Sequence, residues 1–168
     1  MVLTKSELLG SLQHEVRILL HLAGKIDRMA LDYRPTPKQR STLELLQYLS
    51  IMGPGLVDAA KRGTFDGARW SELEKMAATR DFDGTLAAIA GQADTYPALL
   101  ADVSDTDFRT EIVMFGNKTT VGAFIVNLVL GGCAAYRTQL FCYLKACGRE
   151  DLSTMNLWAG IDAAPAGV

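Results

Sequence analysis

The sequence predicts an all-α protein, a bundle of four long helices with short extra helices. Three segments carry apolar residues at alternating three- and four-residue spacing over several turns, the period at which one helix face meets a core. Proline and glycine separate these segments at Pro35, Pro37, Gly63 and Gly148. Only Glu111 to Phe115 reads as a strand, followed by a Gly-Asn turn.

The first helix is expected to start near Thr4 or Ser6, where a hydroxyl can cap the opening turn, and to run to about Leu31. Its stripe is Leu9, Leu12, Val16, Leu19, Ala23, Ile26 and Ala30. The second begins near Ser41, with Thr42 and Glu44 close to a capping arrangement, and buries Leu45, Tyr48, Leu49, Met52, Leu56 and Ala59. Gly53-Pro54-Gly55 should kink or break it, because Pro54 lacks the amide that would bond to Ser50. A short helix is expected over Ser71 to Thr79. The third long helix spans about Asp83 to Val103 and bends near Ala93 under the influence of Pro97. The fourth spans about Thr119 to Ala146, with Val121, Ile125, Leu128, Gly132, Ala135, Gln139, Tyr143 and Ala146 on one seam and Gly148 as a left-handed cap. Residues 1–158 thus read as the bundle domain. Residues 159–168, rich in Gly, Ala and Pro, read as a loose tail anchored at Trp158.

Composition narrows the function classes. The formal net charge is −2 and neither sign forms a long block, so nucleic acid is not an expected partner. The opening residues lack a basic segment followed by an apolar run, so no export signal is expected and the cytoplasm is the expected compartment. The apolar stretch Val121 to Ala135 is interrupted by Asn127 and falls short of the ~20 residues that span a bilayer, which makes it a core helix and a membrane an unexpected partner. Cys133, Cys142 and Cys147 fall in one helix, where no two can meet, and read as reduced, buried apolar side chains.

His14 and His21 are the first candidates for metal or acid-base chemistry. At about 100° per residue both point away from the first helix's stripe, and their Cα atoms stand ~10.5 Å apart along the axis. They are expected on the surface and cannot readily share an ion. Glu15 falls on the inner half of that helix, so it is either a stripe-edge residue that reaches solvent or pairs with an arginine, or a buried acid with a raised pKa facing the bundle cavity. Gly132, Tyr136, Gln139 and Tyr143 lie within roughly 60° of one another on the fourth helix. Such a strip serves either a closed hydrogen-bond network or a small-molecule pocket.

Two segments carry a family resemblance. Glu44-Leu45-Leu46-Gln47-Tyr48-Leu49 resembles the "ELLxHL" stretch of the DinB/YfiT-like proteins, and Tyr136-Arg137-Thr138-Gln139-Leu140 with Tyr143-Leu144-Lys145 and Gly148 resembles their "HxxxHRGQLxxYLRxxG" helix. The resemblance implies a four-helix bundle, frequently dimeric, with a divalent metal on three histidines, and in some members a thiol-dependent transferase or isomerase activity. The positions carried over are Tyr48, Gly132 and Tyr136, none of them a histidine, so no metal and no cofactor is expected. With Met52, Gln139 and Glu15, these residues form the candidate binding site. The resemblance leaves two alternatives. One is a homodimer that binds a small molecule in the bundle cavity or is purely structural. The other is a transferase-type enzyme that uses Glu15 or a tyrosine as acid or base, without a metal or with a non-standard one. A reachable cavity bordered by Tyr48, Met52, Tyr136 and Gln139 would favour a binder or enzyme, and side chains packed shut would favour a structural bundle.

Overall fold

The computed structural model describes residues 3–163. Helix α1 (Lys5–Ala23) opens on a reciprocal cap: the Thr4 hydroxyl accepts from the Glu7 amide, and the Glu7 carboxylate accepts from the Thr4 amide at 2.8 Å. It ends at Gly24, about two turns before the expected Leu31, and a 3-10 turn over Arg28–Ala30 follows, with Asp27 capping Met29. Asp27 binds a backbone amide more favourably as a turn initiator than inside a helix.

Helix α2 (Thr42–Arg62) starts at Ser41, which shares a capping box with Glu44, and stops at Gly63, whose φ of 69° is left-handed. It runs through Pro54 without a break. The flanking glycines serve packing: a Cβ on Gly53 would overlap the Tyr96 hydroxyl, and one on Gly55 would stand 3.0 Å from the Trp70 ring. Helix α3 (Gly67–Ala78) lies along α2. The third arm of the bundle is two helices, α4 (Phe82–Ala90) and α5 (Gln92–Leu99), with the break at Gly91 rather than a bend at Ala93.

A hairpin follows, β1 (Glu111–Met114) and β2 (Asn117–Thr120), antiparallel with Glu111 opposite Thr120. The segment after the expected strand therefore pairs with it. The turn is Phe115-Gly116, both at positive φ, in place of the expected Gly-Asn. Helix α6 (Val121–Ala146) is the fourth arm, and its stretch Ile125–Leu130 is π-helical. Val121, Ile125 and Tyr143 of the expected seam are buried, but past the wider turn the buried line also takes in Val129, Arg137, Leu140 and Leu144, leaving Leu128 at 41% exposure and Ala135 and Ala146 also exposed. Over its full length this helix is long and apolar enough to cross a membrane, unlike the shorter stretch judged from sequence. Here it packs on α1 and α2.

Helix α7 (Thr154–Trp158) closes the described chain. Asn156, 2% exposed, is its anchor, whereas Trp158 is 66% exposed. Asn156 donates to His21 at 3.0 Å and to Asp162 at 2.9 Å, and Asp162 also pairs with Lys25 at 2.7 Å. His21 is therefore half-buried beneath this segment, and His14 is half-buried beside Arg17, neither being simply exposed as expected. Gly160 lies against Ile18. Residues 164–168 of the expected tail lie outside the described residues. The core runs through all four arms: Leu12, Ile18 and Leu22 from α1, Leu45, Leu46 and Val57 from α2, Ile89 and Tyr96 from α4 and α5, and Ile125 and Leu140 from α6. Fully burying one such side chain contributes about 1.5–3 kcal/mol.

Candidate functional site

Helices α2 and α6 bring the first four candidate residues together. The rings of Tyr48 and Tyr136 meet edge to face with centroids 5.1 Å apart, and Trp70 of α3 flanks Tyr48 at 6.2 Å. One turn along, Met52 fills the space at Gly132, its sulfur 3.2 Å from where a Cβ would stand. The close approach of the two helices there depends on the missing side chain. Burial, then the neighbouring Tyr136 hydroxyl, pushes the Tyr48 phenol up to about 12, so it is neutral at physiological pH.

These residues do not fit a three-imidazole metal site. Gly132 supplies no donor, its Cβ direction is occupied by Met52, and a phenol held neutral is a weak ligand. Among the described residues, no group of three His, Cys, Asp or Glu side chains converges to hold an ion.

The Tyr48 ring borders an open cavity of about 190 Å³, lined also by Arg40, Glu44, Gln47, Ile51 and Glu74. The Arg40 guanidinium stands over the ring, 4.0 Å from its centroid. Met52, Tyr136 and Gln139 do not line this cavity, so it lies on another side of Tyr48 than the sequence reading placed it. Gln139 belongs to a chain of hydrogen bonds: its Nε2 donates to the Tyr143 hydroxyl at 2.6 Å, which donates to the Arg40 carbonyl at 3.0 Å. Tyr33 packs edge-on against Tyr143, so this part of the inward strip is a closed network.

Glu15 belongs to a second cluster. Arg137, 5% exposed, donates through one Nη to both carboxylate oxygens at 2.9 Å. Burial nevertheless raises the Glu15 carboxyl above its ordinary value, against the pull of Arg137. Each open alternative for Glu15 therefore holds in part: it pairs with an arginine, and it is a partly buried acid beside a cavity of about 10 Å³ shared with Gln92, Tyr96 and Cys133. Burial pushes the Cys133 thiol up to about 12, far from a nucleophilic thiolate. Cys142, by contrast, is exposed, and Cys147 caps the helix end, so only Cys133 behaves as the expected buried thiol.

Arg137 was the residue the sequence reading passed over. At about 100° per residue it points about 100° away from Tyr136 and about 160° away from Gln139, off the inward strip, so spacing gave no signal for it, and its partner lies 122 residues away.

No family model and no curated protein matches the sequence. Among solved structures, a DinB-like protein, YjoA, from Bacillus subtilis is similar with a TM-score of 0.68, covering 87% of this chain and 95% of that one at 18% sequence identity. The protein thus has an all-α, DinB-like fold.

Proposed function

We propose that this DinB-like bundle is a small-molecule-binding protein that acts as a cytoplasmic homodimer and has no metal triad. The packing of Met52, Tyr136 and Gln139 favours a structural role for that strip and leaves no room for a triad, and the binding reading is carried by the open cavity beside Tyr48. Catalysis by Glu15 or a tyrosine gains no support, since Glu15 is tied to Arg137, the Tyr48 phenol is pushed up to about 12 and the Tyr143 hydroxyl is bonded to the Arg40 carbonyl. Elemental analysis of untagged protein should find no stoichiometric transition metal; about one metal per chain would refute the reading.

The dimer rests on α6. Leu128, Gly131 and Ala135 of α6 are exposed rather than packed in the core. A second copy would cover this apolar stretch by two-fold pairing, in which one patch meets itself. Light scattering should report ~36 kDa, twice the chain mass of 18.2 kDa. A monomer at high concentration would dismiss the dimer.

A further inference from the structure

The cavity beside Tyr48 is lined by a cation of the protein's own, which covers the ring. Arg40 lies in the loop before α2, is exposed, and places its guanidinium 4.0 Å from the Tyr48 ring centroid. No carboxylate among the described residues forms an ion pair with it, because Glu44 pairs with Arg34 at 3.2 Å instead. The side chain lies on the negative face of the phenol, with the Glu44 carboxylate near enough to feel its charge. Glu74, also on the wall, has no ion-pair partner among the described residues, and its charge is near enough to help raise the Tyr48 hydroxyl. Trp70 and Tyr136 clamp the Tyr48 ring from its other sides, so the face offered to the cavity is fixed in orientation. The backbone of Arg40 is fixed as well, by the bond from Tyr143 to its carbonyl, which leaves the guanidinium arm free to swing without moving the loop.

We propose that this cavity is a recognition site for a small organic cation, which stacks on the Tyr48 face, is balanced by Glu74, and displaces the Arg40 guanidinium to enter. The proposal rests on the small-molecule-binding reading and adds the charge of the ligand. A cation gains on both counts: the ring quadrupole attracts it, and removal of Arg40 leaves the carboxylates of Glu44 and Glu74 nearby. A carboxylate or phosphate ligand would instead pair with Arg40 where it stands, against the charge of Glu74, and would leave the ring face covered. With about 190 Å³ available, the cavity suits a headgroup the size of tetramethylammonium.

The test is a tetramethylammonium chloride titration against sodium chloride of equal ionic strength. It is followed by tryptophan fluorescence in a Trp158→Phe background, so that Trp70 beside Tyr48 is the reporter. A saturable change with tetramethylammonium alone is expected. It should tighten about tenfold when Arg40→Ala removes the competing cation, weaken in Glu74→Gln, and survive Tyr48→Phe, which keeps the ring. It should vanish in Tyr48→Leu. No saturable response in a folded Arg40→Ala protein, an equal response to sodium, or binding unaffected by Tyr48→Leu would overturn the proposal. A thermal-shift panel of neutral and anionic compounds separates the two levels. If such compounds stabilise the parent protein but not Tyr48→Leu while tetramethylammonium fails, the cation proposal falls and the binding reading stands. If no compound of any charge shifts the melting temperature, both fall.

Discussion

At the scale of single residues, the most consequential contact is the one between Glu15 and Arg137. Two opposite charges at 6% and 15% side-chain exposure attract strongly, yet each has lost most of its water, and the Nε of Arg137 has no hydrogen-bond partner. The pair is therefore costly to break and cheap to replace. Glu15→Ala strands a buried guanidinium and should lower the unfolding free energy by about 3 kcal/mol, whereas Glu15→Leu with Arg137→Met should come within about 1 kcal/mol of the parent. Urea denaturation of the three proteins checks both values. A double variant as unstable as the single one would mean that the pair itself, rather than the stranded charge, holds the bundle. Periodicity placed Glu15 inward correctly, because angle along a helix can be read from spacing. Its partner could not be read, since nothing local links residues 122 positions apart.

Among the elements, legibility followed the range of the interaction. The Ser41 and Glu44 cap closes within one turn, and its residue types announce it. The hairpin was half visible: Glu111 to Met114 alternates, but Asn117 to Thr120 is a strand only because the first strand lies beside it. Gly53-Pro54-Gly55 was misread for a related reason. Local rules predict a broken helix, yet the glycines admit the Tyr96 hydroxyl and the Trp70 ring. Gln92, which accepts from Tyr96 at 3.1 Å and donates to the Leu49 carbonyl at 2.9 Å, ties α5 to the same stretch. Gly53→Ala gains helix propensity but drives a methyl into that hydroxyl, so a net loss of at least about 2 kcal/mol is expected. Tyr96→Phe in the same chain should recover part of it, because the overlapping oxygen is gone. Thermal unfolding of the two variants provides the comparison, and a stable Gly53→Ala protein would show that the rings are not wedged there.

For the whole molecule, acid should be the weak flank. Glu7, Glu44, Asp102, Asp107, Asp151 and Asp162 all have lowered pKa values, through bonds from the Thr4 amide, the Ser41 amide, Lys61, Ser104, Arg149 and Lys25 respectively. A carboxylate with a folded pKa below its unfolded one contributes stability above the unfolded value and loses it as the pH falls through the folded one. Glu15 acts in the opposite sense: its raised pKa favours the fold below about 4.5 and the benefit is lost as the pH rises through the folded value. Six groups oppose one, so the melting temperature should fall steadily below about pH 4. A calorimetric series from about pH 6 to about pH 3 tests the balance, and a protein that gains stability on acidification would mean that Glu15 outweighs the caps.

The π-helical stretch in α6 has a further consequence for how this chain should be compared with others. A π turn amounts to an α-helix carrying one surplus residue between fixed ends. Between Ile125 and Leu130 this helix spends one residue more than a straight helix needs to cover the same path. Any alignment with a DinB-like sequence whose fourth helix is regular must therefore open a one-residue gap there. A correspondence that is right at Gly132 and Tyr136 is off by one at Val121 and Phe124, so matching by sequence offset alone holds on only one side of the insertion.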